Sequence, residues 1–233
     1  MTGESGFPAG AGPAEDMARR FVGSLPVTGA SVSTLGVLLG TQTVAASDPL
    51  AARLDEIQFD LGEGPCWDAV RLRRPILLPD LRNDRGRSWP IFAQAVLSEG
   101  VGALFAFPLL VGPLEIGAVD MYSRLPLTLE TSQTEKAADL ADATARQILR
   151  GALDGARGHG DDYREDDRPY SRKIVHQATG MVLAQLGISA DDARMVIQAH
   201  AFTSDRSMME VARDVLDRRI DFSALDEDGR NTS

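Results

Sequence analysis

The stretch S-R-K-I-V-H-Q-A-T-G-M-V-L-A-Q-L-G-I-S, residues 171–189, decides how the C-terminal part of this 233-residue chain is interpreted. Apolar residues recur in it at the spacing of one helix face: Ile174, Ala178, Met181, Val182 and Leu186. Gly180 interrupts this stripe, although a glycine within a helix costs roughly 1 kcal/mol relative to alanine. The pattern therefore predicts a helix that keeps a glycine for a reason other than helix stability.

Two more helices are predicted after this one. Ser189 and Ser207 each precede an apolar stripe, and each is followed three residues later by an acidic residue, which is a helix-capping pattern. Pro169 stands at the start of the first helix and Gly187 just after its end, as helix termini favour. The sequence thus predicts a three-helix bundle over residues 169–222.

The pattern of residues 15–153 is typical of an α+β domain. Short β-prone runs alternate with helical segments, and turn signals at Gly40 and in V-G-P-L predict two hairpins. The predicted strands cover residues 30–39, 41–46, 75–78, 103–111 and 115–122. A long alanine-rich helix, residues 131–153, ends the domain.

The remaining segments are predicted to lack packed structure. Residues 154–168 are glycine-rich and charged and are interpreted as a linker, whereas residues 1–14 and 223–233 are interpreted as disordered tails. The chain shows no signal-peptide pattern and no run of about 18 apolar residues, so we expect a cytoplasmic protein without a membrane span.

The charge is distributed unevenly along the chain. The formal net charge is −10, of which residues 1–167 carry −9 and residues 168–233 carry −1. Bulk acidity argues against non-specific nucleic-acid binding. The nearly neutral C-terminal part nevertheless leaves room for a local basic surface.

Several motifs in the α+β part resemble the GAF domain, a sensory fold related to PAS. The motifs are L-G-E-G-P-C at residues 61–66, P-D-L at 79–81, W-P at 89–90, F-P-L-L-V-G at 107–112 and I-G-A-V-D-M-Y at 116–122. The resemblance covers residues 15–152 and is closest to GAF domains that precede an RNA-binding module in actinobacteria.

The C-terminal bundle resembles the ANTAR domain, an RNA-binding output module of bacterial antiterminators. The matching residues are Arg172, Ile174, Ala178, Gly180, the run 186–189, Asp192, Ala193, Met208, Val211 and Ala212. The order GAF then ANTAR is a known pairing. The expected fold is therefore an α+β GAF domain, with an antiparallel sheet flanked by helices, followed by an all-α three-helix ANTAR bundle and joined to it by a long helix.

The two resemblances imply a signal-responsive regulator of transcription antitermination. Such a protein binds tandem hairpins in a nascent leader transcript, as a homodimer, with the alanine-rich helix as a plausible dimer interface. Unpaired loop bases can be stacked on and read, whereas the interior of an A-form duplex cannot. The candidate RNA-binding residues are Arg172, Lys173, His176, Thr179, Gly180, Arg206 and Arg213.

Gly180 has two interpretations at this stage. In the first, the missing side chain lets the third helix or a partner chain pack closely. In the second, it lets a nucleotide lie on the helix beside Arg172, His176 and Thr179, which share a face at spacings of three and four residues.

The GAF part offers candidates for sensing. Trp67 and Trp89 are predicted either as core anchors or as walls of a ligand pocket, and Phe107 is a further candidate for that pocket. Cys66, the single cysteine, is interpreted as a small buried residue or as a redox-sensing thiol.

No cofactor and no enzymatic activity are expected. All three histidines lie after residue 153, so histidine ligation of haem in the sensory domain is not expected, and one cysteine cannot build a zinc cluster. The sequence shows no nucleophile–base pattern and no phosphate loop. GAF domains with methionine-sulfoxide reductase activity rely on more than one cysteine, which argues against that enzyme here.

An alternative function stays open. The chain could be a small-molecule or redox sensor that acts through protein–protein interaction and uses its ANTAR-like bundle for dimerisation. The acidic net charge and Thr179, at a position where the resembling family usually has a lysine or another polar donor, favour this alternative.

Overall fold

The structure is a computed structural model that describes residues 15–35, 38–84, 89–156, 173–204 and 206–223. Its elements follow the predicted order of strands and helices, with one short unpredicted helix, α4. In chain order they are α1 (Glu15–Ser24), β1 (Gly29–Thr34), β2 (Gln42–Ala46), α2 (Pro49–Leu61), α3 (Pro65–Leu72), β3 (Ile76–Leu78), α4 (Leu81–Asp84), α5 (Pro90–Ser98), β4 (Ala103–Val111), β5 (Leu114–Ser123), α6 (Thr131–Ala156), α7 (Lys173–Leu186), α8 (Ala190–Thr203) and α9 (Met208–Leu216).

The five strands form one antiparallel sheet in the order β2-β1-β5-β4-β3. Both predicted hairpins, β1–β2 and β4–β5, are confirmed. The register places Ser31 opposite Asp120 and Phe105 opposite Met121. Because side chains alternate along a strand, these two pairs point to opposite faces of the sheet.

One face of the sheet is apolar and packs against α1 and α6. Phe21 of α1 and Ala141 of α6 are buried there against Phe105, Phe107 and Met121 of the central strands. Small alanines on α6 let this helix lie close to the sheet. This layer is the largest hydrophobic core of the chain.

The other face carries polar side chains near its centre and packs against α2, α3 and α5. Leu104 and Tyr122 lie in an apolar cluster with residues of α2 and α5, while Ala118 packs with Cys66 of α3. Ser33 and Asp120 are buried on this face. The sheet therefore has a mainly apolar layer on one side and a mixed layer on the other.

Local sequence signals explain where α2 begins. Asp48 is its N-cap and accepts a 3.0 Å hydrogen bond from the backbone N–H of Ala51, and Pro49 occupies the first helical position. The hydroxyl of Tyr122 donates to the same carboxylate at 2.9 Å. The cap thereby also attaches the helix to strand β5.

The helices α7, α8 and α9 enclose a separate hydrophobic core. The predicted caps are confirmed: Ser189 accepts from the backbone N–H of Asp192, and Ser207 and Glu210 form a reciprocal capping box. Ala178, Ile197 and Val211 are among the fully buried residues that join the three helices.

The alanine stripe of α6 is used within the protomer, so a dimer interface on this helix would have to use other residues. Ala137, Ala141 and Ala145 are buried in the protomer's own core, so this face is not available to a second chain. The helix also continues to Ala156, three residues beyond its predicted end. Residues 157–168 of the predicted linker and both predicted tails, apart from Ser223, lie outside the described residues.

Candidate functional site

An open helix face on α7 is the first candidate surface. His176, Gln177, Gly180 and Ala184 are all exposed and recur at intervals of three and four residues. The opposite side of the helix, with Val175, Ala178 and Val182, is buried against α8 and α9. The structure therefore brings His176 and Gly180 together on one solvent-facing stripe.

Gly180 does not serve packing within the described part of the chain. A Cβ placed on Gly180 would find no heavy atom within 4 Å beyond its own helix backbone, so α9 is not what approaches it. The interpretation in which the third helix packs against Gly180 is wrong, because Gly180 faces solvent. Close approach by an external molecule, whether a partner chain or RNA, is the interpretation that the geometry leaves.

Thr179 is only half-buried, and its hydroxyl is already engaged. The hydroxyl donates to the carbonyl oxygen of Val175 at 2.7 Å, one turn earlier in the helix. Its oxygen retains acceptor capacity, so Thr179 can receive a hydrogen bond from a ligand more readily than it can donate one.

Arg206 differs from its predicted role. It precedes the N-cap Ser207 and therefore lies outside α9. Its guanidinium donates to Asp214 at 2.6 Å, and its side chain is only 34% exposed. Hydrogen bonds from Arg206 first, and then from Arg219, hold the pKa of Asp214 below its usual range. Arg206 is thus neutralised by a neighbouring carboxylate rather than presented as a free cation.

Arg213 lies on α9 and is exposed. Within the ranges that the structure describes, it forms no ion pair, in contrast to Arg206 and Arg219. Among the predicted RNA-binding cations it is therefore the one whose charge the structure leaves available. Arg172 lies outside the described residues, and Lys173 is placed as the first residue of α7 without a described side chain.

The three predicted pocket residues of the sensory domain do not meet. Phe107 is fully buried on the apolar face of the sheet, whereas Trp89 is buried on the opposite face. Trp67 is half-buried at a third position, where it packs edge-on against Phe59 with ring centroids 5.9 Å apart. The prediction that these three residues wall one pocket is wrong, while the interpretation of Trp67 and Trp89 as packing residues agrees with the structure.

Cys66 lies at the centre of the mixed layer. It is fully buried, and its backbone N–H donates to the side-chain oxygen of Gln58 at 2.8 Å. Burial raises the pKa of the Cys66 thiol well above its ordinary value, with smaller contributions from Asp120 and Asp55. Because the thiolate is the reactive form, this environment favours the packing interpretation over redox sensing.

A pair of buried carboxylates was missed at the sequence level. Asp55 of α2 accepts hydrogen bonds from the hydroxyls of Ser33 and Thr43, and Asp120 of β5 accepts from the side chain of Gln58. The Oδ2 atom of Asp120 has no hydrogen-bond partner among the described residues. Burial first, and the charge of Asp55 second, raise the pKa of Asp120 well above its ordinary value.

The sequence contains a signal for the buried carboxylates of Asp55 and Asp120. Asp120 interrupts the otherwise apolar strand motif I-G-A-V-D-M-Y, and Asp55 precedes Gln58 by one helical turn. A charged residue within an apolar strand is rarely buried without partners. The motif could therefore have indicated a polar cluster beneath the sheet.

The described residues contain neither a metal-binding cluster nor a membrane-spanning helix. No group of three or more histidine, cysteine, aspartate or glutamate side chains in these ranges is arranged to hold a metal ion. No helix in the same ranges is both long and apolar enough to cross a membrane.

Comparisons with known proteins place the C-terminal helices in a family. A sequence profile of the ANTAR domain matches residues 167–216. No curated protein sequence matched the chain.

Solved structures similar to the chain cover its N-terminal part. One is a domain of a protein described as a two-component sensor histidine kinase from Sinorhizobium meliloti 1021, with 20% identity, a TM-score of 0.49, and coverage of 63% of this chain and 95% of that chain. Another is the GAF domain of a phosphoenolpyruvate-protein phosphotransferase from Coxiella burnetii, with 15% identity, a TM-score of 0.48, and coverage of 61% and 84%. A third comes from a GAF domain/HD domain protein of Geobacter sulfurreducens, with 17% identity, a TM-score of 0.46, and coverage of 59% and 91%.

The architecture agrees with both assignments. The antiparallel sheet, with strand order β2-β1-β5-β4-β3 and helices on both faces, has the arrangement of a GAF domain, and α6 leads from it toward the profile-matched helices. The chain therefore combines an α+β domain that has the arrangement of a GAF domain with a C-terminal segment that matches the ANTAR domain.

Proposed function

We propose that this chain is a non-enzymatic regulator in which the GAF domain receives a signal and the ANTAR domain binds nascent RNA. The RNA target would be a pair of short hairpins in a leader transcript, whose binding prevents a terminator from forming. The match of residues 167–216 to the ANTAR domain, together with the open face around Gly180, carries this proposal.

The chemistry of the exposed residues supports an RNA-facing role. His176 can stack on or hydrogen-bond an unpaired base, and Gly180 lets a ribose or base approach the helix without a side chain in the way. Arg213 adds a positive charge that no described carboxylate neutralises. Together these residues offer stacking, close approach and phosphate contact.

A homodimer is part of the proposal. Two ANTAR domains on two hairpins of one RNA would bind with avidity, which strengthens a weak single contact. Because the alanine stripe of α6 is buried within the protomer, the dimer would use another surface. Analytical ultracentrifugation of the full chain with and without RNA would measure the assembly.

A filter-binding assay with a two-hairpin leader RNA tests the proposal. Binding should be weakened by each of three substitutions: Arg213→Ala, Arg172→Ala and Lys173→Ala. Each should also reduce the slope of log K against log salt concentration by about one, because one phosphate contact is lost. Arg71→Ala, which removes an exposed arginine of the GAF domain, is the matched control. Absence of binding by the unaltered chain would contradict the function, and unchanged binding by all three variants would contradict the surface.

Two observations favour the alternative function. The pairing of Arg206 with Asp214 removes one predicted RNA contact, and the chain as a whole carries a net charge of −10. A sensor that acts through protein–protein contacts needs no basic surface. The same RNA assay separates it from the leading proposal, since such a sensor would not retain the RNA.

A further inference from the structure

A cleft of about 630 Å³ lies between the two domains. Its walls come from α2 and α5 of the GAF domain on one side and from α8 and the start of α9 on the other. Sites for small molecules typically enclose roughly 300–1,000 Å³ and often lie between domains. The dimensions of the cleft therefore fit a small molecule.

Large apolar side chains that are otherwise exposed converge on this cleft. Ile91 of α5 is 49% exposed, and Met195 and Phe202 of α8 are 61% and 66% exposed. All three line the cleft, although they belong to two different domains. Covering apolar surface is favourable at about 25 cal/mol per Å², so a bound apolar molecule would be stabilised by both walls at once.

The charged groups of the cleft balance, and they already have partners. Asp60 accepts from the backbone N–H of Met208 at 3.0 Å, and Glu63 accepts from that of Phe92 at 3.1 Å. Arg206 is paired with Asp214 at 2.6 Å.

The fourth charged group of the cleft, Arg53, is paired with Glu56 at 3.0 Å. Two acids and two arginines give the lining no net formal charge. A neutral ligand matches this charge balance, and the apolar side chains supply most of the contact surface.

We propose that this cleft binds a neutral, largely apolar small molecule, such as an aromatic ring system, that contacts both domains at the same time. A macromolecular segment is a poorer fit, because a helix about 10 Å wide with a pitch of about 5.4 Å fills roughly 400–600 Å³ per turn, so the cleft would hold little more than one turn. The proposal is independent of RNA binding, since none of its contacts involves the open face of α7.

Nile red, a neutral dye whose fluorescence rises in apolar surroundings, tests the site in the full chain. The unaltered chain should enhance the fluorescence with a stoichiometry of one dye per chain. Ile91→Ser and Phe202→Ser should each weaken dye binding about tenfold, since each removes one large apolar contact. Leu125→Ser is the matched control, because Leu125 is 73% exposed and does not line the cleft.

The two variants together decide the proposal. Weakening by both variants, with the control unchanged, supports a site shared by the two domains. Weakening by only one variant would overturn the proposal, because the dye would then sit on a single domain. No enhancement by the unaltered chain, or equal binding by all variants, would also overturn it. The side chains of Ile91 and Phe202 are both exposed, so neither substitution should disturb the fold, which circular dichroism verifies. If Phe202→Ser does not fold, Met195→Ser replaces it.

Discussion

The carboxylate of Asp60 in the GAF domain accepts a 3.0 Å hydrogen bond from the backbone N–H of Met208, the first residue of α9 in the ANTAR domain. Backbone N–H groups at a helix N-terminus attract anions, because they are unpaired within the helix and lie at the positive end of its dipole. Asp60 therefore occupies a position that suits a phosphate group.

Replacing the carboxylate of Asp60 should free the N-terminus of α9 for an RNA phosphate. We expect Asp60→Ala to raise RNA affinity by up to about tenfold, since a hydrogen bond to a charged group contributes roughly 1.5–3 kcal/mol. Filter binding measures the affinity, and amide hydrogen exchange at Met208 independently reports the contact. Asp139→Ala, which removes an exposed acid on α6, is the charge-matched control. Faster exchange without a gain in affinity would show that the contact does not restrain RNA binding.

Gly64, within the motif L-G-E-G-P-C, should tolerate no side chain. Its φ is +139°, and an added Cβ would lie 2.5 Å from Oε1 and 2.7 Å from Cγ of Gln58. We expect Gly64→Ala to lower the free energy of unfolding by about 1–3 kcal/mol in urea titrations, with Gln58 displaced. Gly155→Ala on α6, where an added Cβ meets nothing within 4 Å, should cost nothing. Equal stability of the two variants would contradict this account.

Asp120 should make the stability of the GAF domain depend on pH. Its pKa is raised in the folded chain, so the folded state holds a proton that the unfolded state releases above about pH 4. Stability is therefore lost as the pH rises from the unfolded pKa to the folded pKa. We expect Asp120→Asn to lose less stability than the unaltered chain between pH 5 and pH 8, as measured by urea midpoints. Asp139→Asn serves as the surface control, and parallel pH profiles for all three proteins would be incompatible with the prediction.

Substitution of Gly180 by alanine should change the stability of the helical domain and its RNA affinity in opposite directions. Gly180→Ala should stabilise the helical domain by roughly 0.5–1 kcal/mol, because helix propensity improves and no described residue obstructs the added Cβ. The same substitution should reduce RNA affinity if nucleotides lie on this face, and Gly180→Leu should reduce it further. Thermal unfolding and filter binding on the same samples measure the two effects. Full RNA affinity in Gly180→Leu would remove this face from the binding surface.

Local signals in the sequence were sufficient for the order of the described elements and for all of them except the short helix α4. The N-cap serines at 189 and 207 and the N-cap Asp48 with Pro49 act within one helical turn, so they can be recognised without knowledge of the fold. The hairpins likewise follow from short loops between neighbouring strands.

The placement of side chains between distant elements could not be predicted in the same way. The strand that contains Phe107 is apolar on both faces, so its pattern does not say which face Phe107 occupies. The ion pair of Arg206 with Asp214 depends on the turn before α9, and the contact of Asp60 with Met208 joins residues 148 positions apart. These are tertiary contacts, and no local pattern encodes them.

Only a short part of the long helix α6 is buried against the sheet. Its buried residues extend only from Ala137 to Ala145, while Leu153 near its end is 47% exposed. A tilt of roughly ten degrees about Ala141 would carry the end at Ala156 by about 4 Å, since a helix rises about 1.5 Å per residue. A small rotation of the buried part of α6 would therefore reach the far end of the helix as a displacement of several ångströms.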